Sequence, residues 1–151
     1  MGMPGFRNDP PVIGNAKVRD ADTLVIGEEV FRLSGVDALE FTQICTRNGA
    51  DWPCGREATR ALDGYLRGRT VSCAPEATDR YGRTVARCTL EDGSDIGEWL
   101  ARNGWAFDSS RFGDGPYIDA QDEAERAARG AFAGTFDQPA EWRRMHRMEE
   151  D

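Results

Sequence analysis

Two runs of β-branched and apolar residues, Thr23 to Ile26 and Val30 to Leu33, stand either side of Gly27-Glu28-Glu29. This pattern constrains the chain most, because short β-forming runs split by a glycine-led connection read as a hairpin, here with a three-residue connection. Lys17 to Arg19 supplies a strand before it. Between Pro53 and Gly68, Ala58, Ala61, Leu62, Tyr65 and Leu66 recur at the spacing of one buried helix face. Thr70 to Cys73 and Thr84 to Leu90 read as two further strands, joined by a charged loop from Pro75 to Arg83. After Gly93, Ser94 or Asp95 can cap a helix that buries Ile96, Trp99 and Leu100 and stops at Gly104. A third helix is expected from about Tyr117 to Arg129, with Gly130 ending it.

The order β-β-β-α-β-β-α-α belongs to the α+β class and fits a five-stranded barrel of the oligonucleotide-binding (OB-fold) type capped by helices. With 151 residues the chain suits one domain: an extended Pro- and Gly-rich lead-in over 1–15, a folded body over 16–142, and a charged tail over 143–151. The stretch 35–53 reads as long and irregular, and such loops in small domains are often functional. Size and the lack of a surplus apolar stripe favour a monomer.

Charge narrows the chemistry. The chain carries 27 acidic against 19 basic groups, a net −8, which by itself argues against a nucleic-acid partner. The distribution softens that inference. Residues 56–90 hold seven arginines against four acids, while 114–151 hold ten acids against five arginines. The expectation is weak, salt-sensitive binding to nucleic acid rather than none. The only histidine, His146, lies in the charged tail, so a histidine triad or a His-rich metal site is hard to build. Carboxylates, arginines and thiols remain.

Cysteines stand at 45, 54, 73 and 88, with no Cys-x-x-Cys pair to suggest zinc or a redox dithiol. Two disulfides are the reading, and with them an oxidising compartment. Four free thiols in a cytosolic protein would look the same. Met1 to Pro11 contains no apolar run able to act as a secretion signal or membrane span. The expectation is therefore a secreted or periplasmic protein whose signal has been removed, without a membrane partner.

Asp20 and Asp22 precede the hairpin, and Asp37 and Glu40 follow it, so a folded-back hairpin gathers these carboxylates on one rim. Hard oxygen ligands of this kind suit Ca²⁺ or Mg²⁺. The competing explanation is local hydrogen bonding by Asp at turns. Arg32 and Arg83 complement the acids, since guanidinium groups beside a metal can bind phosphate oxygens bidentately. Against that stands ordinary surface ion pairing.

Three stretches in this order and spacing, Asp20-Ala21-Asp22-Thr23-Leu24, Arg32-Leu33-Ser34-Gly35-Val36-Asp37-Ala38-Leu39-Glu40 and Asp79-Arg80-Tyr81-Gly82-Arg83, resemble the staphylococcal nuclease (thermonuclease) family. The likeness runs from about Lys17 to Trp142 and includes Gly55-Arg56-Glu57-Ala58, Gly104-Trp105-Ala106 and Pro139 through Arg143. The resemblance implies Ca²⁺ held by Asp22, Asp37 and the backbone carbonyl of Ala38, with Glu40 as the general base. It further implies Arg32 and Arg83 as catalytic arginines, and Arg80 and Tyr81 as contacts to a neighbouring phosphate. The activity so implied is hydrolysis of single-stranded DNA and RNA with little sequence preference, leaving 3′-phosphates. A non-catalytic nucleic-acid or protein-binding OB-fold module is the alternative.

Two positions depart from the family pattern: Ala21 replaces a glycine, and Leu39 replaces a proline that would stiffen the loop carrying Asp37 and Glu40. Neither removes a catalytic group; they bear on the level of activity rather than its type. On this placement Cys73 and Cys88 lie on the strands flanking the Asp79 to Arg83 loop, and Cys45 and Cys54 close the loop before the first helix. Pairing is expected as 45–54 and 73–88, each bridge adding roughly 2–3 kcal/mol. Trp52, Trp99, Trp105, Phe107 and Phe132 read as core rather than base-stacking surfaces, whereas Tyr81, between two arginines, reads as a site residue.

Overall fold

The N-terminal hairpin forms with a tighter turn than its sequence spacing suggests. The computed structural model describes residues 9–150, with side chains as far as residue 147. In chain order the strands before the first helix are β1 (Val12–Gly14), β2 (Ala16–Asp20), β3 (Thr23–Ile26), β4 (Glu29–Leu33), β5 (Val36–Ala38), β6 (Cys45–Arg47) and β7 (Ala50–Trp52). Then come α1 (Cys54–Leu66), β8 (Val71–Thr78), β9 (Thr84–Leu90), α2 (Ile96–Arg102), β10 (Ala106–Asp108), α3 (Ile118–Arg126), a 3₁₀ turn over Gly130–Ala133 and α4 (Pro139–Glu150). In the hairpin, Ile26 faces Glu29 across a two-residue connection, not three, and Gly27 leads it with φ +62°. Glycine meets that positive φ without strain.

The architecture is the expected α+β, OB-type arrangement, with a different strand count. One six-stranded sheet runs β1-β8-β9-β4-β3-β2 and stays open, with β1 and β2 at its edges; β5 pairs with β10, and β6 with β7, in two small sheets. The pairing of β4 with β9 is parallel and the others are antiparallel. The sixth strand, β1, comes from the stretch read as lead-in, whose residues 1–8 lie outside the described residues. Three more strands, β5, β6 and β7, lie in the stretch read as irregular. Each of these four is three residues long, too short for an alternating pattern to register in the sequence. β8 is longer than expected. A register shift between Pro75 and Ala77 accommodates the proline, so the strand reaches Thr78 and the following loop shrinks to 79–83.

The core forms between this sheet and the helices, with Leu24, Phe31, Leu39, Leu62 and Ile96 fully buried. Trp52 and Trp105 meet edge-on with ring centroids 6.2 Å apart, and Phe107 packs with Phe132 and Phe136. Disulfides join Cys45 to Cys54 and Cys73 to Cys88, the second pair directly opposed across β8 and β9. Two bridges suit an oxidising compartment. Asp95 caps α2 by accepting from the Glu98 amide, and also receives the Tyr117 hydroxyl at 2.8 Å and Arg87 at 3.0 Å. The residues from 143 onward, expected as a charged tail, continue α4, which opens on the buried Pro139. Proline suits a first helical position because that N–H has no partner within the helix. Residue 151 lies outside the described residues. Among the described residues no helix is long and apolar enough to cross a membrane.

Candidate functional site

Alternation along β4 buries Phe31 and Leu33 and turns Arg32 to the other face. There the Arg32 guanidinium donates to the carbonyls of Leu33 (3.2 Å) and Val36 (3.1 Å) and pairs with Asp22 at 3.1 Å and Asp37 at 3.5 Å. Backbone anchors hold it against both acids. Asp22 is held in turn, since its Oδ2 accepts from the Ala38 amide at 3.1 Å and its Oδ1 from the Thr23 hydroxyl at 3.2 Å. Ala21 is fully buried with no positive φ, so the expected glycine is not needed there.

Glu40 sits on a loop stiffened by other means than the missing proline. Leu39 is buried and its amide donates to the Trp105 carbonyl at 3.1 Å. The Glu40 amide donates to Gln43 Oε1 at 3.1 Å, while Gln43 Nε2 donates to the Asp137 carbonyl at 2.7 Å. Gln43 is fully buried, and its carbonyl accepts from the Gly55 amide at 3.1 Å. It ties the Glu40 loop to α1 and to the chain just before α4.

Arg80, Tyr81 and Arg83 occupy the β8–β9 loop, which Asp79 organises. Asp79 Oδ1 accepts from the amides of Tyr81 and Arg83, both at 2.9 Å, and Oδ2 from Arg83 Nε at 2.7 Å. Burial pushes the Asp79 carboxyl up, but these hydrogen bonds outweigh it and hold the group below its ordinary range. Both arginines lie over the Tyr81 ring, at 5.0 Å for Arg80 and 5.4 Å for Arg83. Tyr81 itself is 66% exposed.

A cleft of about 540 Å³ runs between these elements and brings together Asp22, Arg32, Glu40, Arg80, Tyr81 and Arg83. Asp37 faces an adjoining cavity of about 290 Å³, which shares Arg32 and Arg83 with the first. Ala38 is buried and lines neither cavity; its amide is committed to Asp22. The far wall comes from one face of α4, where Ala140, Arg143 and Arg147 line the cleft. Arg143 donates to Asp37 through both terminal nitrogens, at 3.0 and 3.1 Å, and to Glu40 at 2.5 Å. The hydrogen bond to Asp37 foremost, with that to Glu40, holds its guanidinium even further above its ordinary value, against burial.

Sequence reading left Gln43, Arg143 and Arg147 without roles. The spacing of Ala140, Arg143 and Arg147 does mark one helix face, but only once 139–150 is taken as a helix.

The donor set fits a hard cation. Asp22 and Asp37 offer carboxylate oxygens, no histidine or cysteine among the described residues lines either cavity, and the groups that pair with these acids are guanidiniums. Among the described residues no three His, Cys, Asp or Glu side chains already converge as a metal site.

Asp20 also lines the cleft, with its carboxyl pushed up first by burial and then by the Asp22 charge, against Arg19 and Arg32. A carboxyl raised on folding costs the folded state nothing below its unfolded value of 3.8 and the full amount above its folded value. Asp20→Asn removes that cost. It will raise the melting temperature in chelator at pH 7, with the gain fading as pH falls through the carboxylate range. A lowered melting temperature at pH 7 would contradict this account.

Residues 30–135 match the family described as "Staphylococcal nuclease homologue". The chain is 41% identical over 122 residues to the "Succinoglycan biosynthesis protein ExoI" of Rhizobium meliloti (strain 1021), covering 80% of this chain and 64% of that one. It is 30% identical over 138 residues to the "Probable endonuclease LCL3" of Schizophyllum commune (strain H4-8 / FGSC 9210), covering 80% of this chain and 46% of the relative. An "Uncharacterized endonuclease" of Escherichia coli O157:H7 is 27% identical over 136 residues, covering 87% of this chain and 82% of its own length. The chain thus spans between about half and two thirds of the first two relatives.

Proposed function

Because the chain belongs to the staphylococcal nuclease family, we propose that it is a Ca²⁺-dependent nuclease that hydrolyses DNA and RNA with little sequence preference, favouring single strands. The observation that carries this reading is the convergence of Arg32, Glu40 and Arg83 on one cleft beside the Asp22 and Asp37 carboxylates. In this reading Asp22, Asp37 and the Ala38 carbonyl would hold Ca²⁺, which when bound supplies charge neutralisation to a phosphate oxygen. Glu40 takes a proton from the attacking water, and the Gln43 hydrogen bond keeps its backbone in place for that task.

The two arginines differ in how they are held. Arg32 is fixed by backbone carbonyls, whereas Arg83, among the described residues, pairs through Nε with Asp79, which leaves its terminal N–H groups for the phosphoryl oxygens. Both bind the more negative five-coordinate transition state better than the ground state, and only that difference accelerates the reaction. Arg80 and the exposed Tyr81 receive the neighbouring nucleotide, the arginine through its phosphate. Water forms the new P–O bond as the 5′-oxygen leaves, which puts the phosphate on the 3′ end. The disulfides support a secreted or periplasmic setting, and we take the chain to act as a monomer.

A titration of single-stranded DNA cleavage with Ca²⁺, and with Mg²⁺ for comparison, tests metal, reaction and substrate together. Cleavage should appear with Ca²⁺, stop with chelator and leave 3′-phosphates. A second reading draws support from the engagement of Asp37 and Glu40 by Arg143: a nucleic-acid or protein-binding module without turnover. DNA bound but intact at saturating Ca²⁺ would decide for it.

A further inference from the structure

Arg143 places a positive charge on Asp37, where the reading above puts the metal. Its planar guanidinium fork grips both Asp37 oxygens, at 3.0 and 3.1 Å, and reaches Glu40 at 2.5 Å. Such bidentate pairing is the strongest a carboxylate makes with a side chain, and the same oxygens are those a hard cation would take. Asp37 retains 19% side-chain exposure and Arg143 38%, so this pair is partly screened by solvent and salt, less on the carboxylate side than the Arg143–Glu40 pair.

The two arginines facing Asp37 are not equivalent. Arg32 is anchored by the Leu33 and Val36 carbonyls and sits 3.5 Å from Asp37. Arg143 comes from the far wall on α4, and among the described residues its guanidinium hydrogen-bonds only to Asp37 and Glu40. Arg32 is held by backbone as well as by acids, whereas Arg143 is held, among the described residues, by carboxylates alone.

We propose that Arg143 is a resident counter-ion which a divalent cation must displace from Asp37, so that an arginine on α4 sets the metal affinity of the cleft. The proposal rests on the metal-assisted reading of this site. When only the fraction of molecules with Asp37 released can bind, the apparent dissociation constant rises by the inverse of that fraction. Affinity is thereby held down by a side chain that is not itself a ligand. The same guanidinium bridges Asp37 and Glu40, so it offsets the repulsion between those two carboxylates.

Calorimetric titration of the intact protein with CaCl₂, without nucleic acid, reads this directly. Arg143→Gln should bind Ca²⁺ about tenfold more tightly than the parent, as expected if roughly one molecule in ten has Asp37 free. Arg147→Gln removes the same charge from the same helix, but Arg147 pairs with no carboxylate among the described residues; it should stay close to the parent. Arg143→Lys, which cannot form the bidentate fork, should fall between them, and it carries the test if the glutamine variant does not fold. Equal affinity of Arg143→Gln and parent overturns the proposal, as does weaker binding or an equal gain in Arg147→Gln. If the parent binds Ca²⁺ and cleaves DNA while Arg143→Gln shows no gain, the proposal falls and the nuclease reading stands. If none of these proteins binds Ca²⁺, both fall.

Discussion

Glu40→Gln will lower turnover on single-stranded DNA by about 10²–10⁴-fold, the usual worth of a general base. Glutamine keeps the length of the side chain and can still accept the Arg143 hydrogen bond, so what is lost is the ability to take a proton. The Glu40 backbone is positioned independently of its carboxylate, by Gln43 and by the buried Leu39, so the loop should keep its path. The ion pair with Arg143 is partly exposed, at 30% and 38% for the two side chains, and its loss should change stability by about 1 kcal/mol or less. Single-turnover cleavage at saturating Ca²⁺ separates the chemical step from binding. The expected signature is a lowered rate with DNA affinity close to the parent. Undiminished turnover would remove Glu40 from the mechanism.

How much of this arrangement can be read in the sequence depends on the range of the interactions. The β3–β4 hairpin, the helix after Pro53 and the Asp95 cap are local, and turn residues or periodicity mark each of them. β5 is different: three residues hold a strand only because β10, some seventy positions later, pairs with it, and no local pattern reports that. The site divides in the same way. Asp22, Arg32, Asp37, Glu40 and Arg83 stand in recognisable short motifs, so their identities are legible. Their partners are not. Arg143 meets Asp37 across 106 positions, and Gln43 reaches the Asp137 carbonyl across 94. In sequence Gln43 is one more polar loop residue; only its complete burial shows that it braces the Glu40 loop. α4 is hidden by its charge, since a helix whose useful face carries Ala140, Arg143 and Arg147 looks like a solvated tail until the cleft beneath it is known.

Gly55→Ala inverts what helix propensity alone would suggest. Alanine is favoured over glycine inside a helix by about 1 kcal/mol, and Gly55 is the second residue of α1. Yet a Cβ at Gly55 would stand 1.7 Å from the Glu40 carbonyl oxygen and 2.7 Å from that of Phe41. Those are backbone atoms with no rotamer to relieve the clash, so the helix start and the Glu40 loop must separate by more than an ångström. The helix start is not free to retreat, because the Cys45–Cys54 disulfide and the Gly55 amide bond to Gln43 hold it. The displacement therefore falls largely on the loop that carries Glu40. Overpacking of this kind costs about 1–3 kcal/mol, and misplacing a catalytic group by about 1 Å can cost on the order of 10²-fold in rate. Gly64→Ala, in the same helix with nothing within 4 Å of its Cβ, should gain stability and keep full activity. If the close approach at Gly55 is what positions Glu40, the melting temperatures of the two variants move in opposite directions and only Gly55→Ala loses cleavage rate. A Gly55→Ala protein as stable and active as Gly64→Ala would show that the loop is positioned by something else.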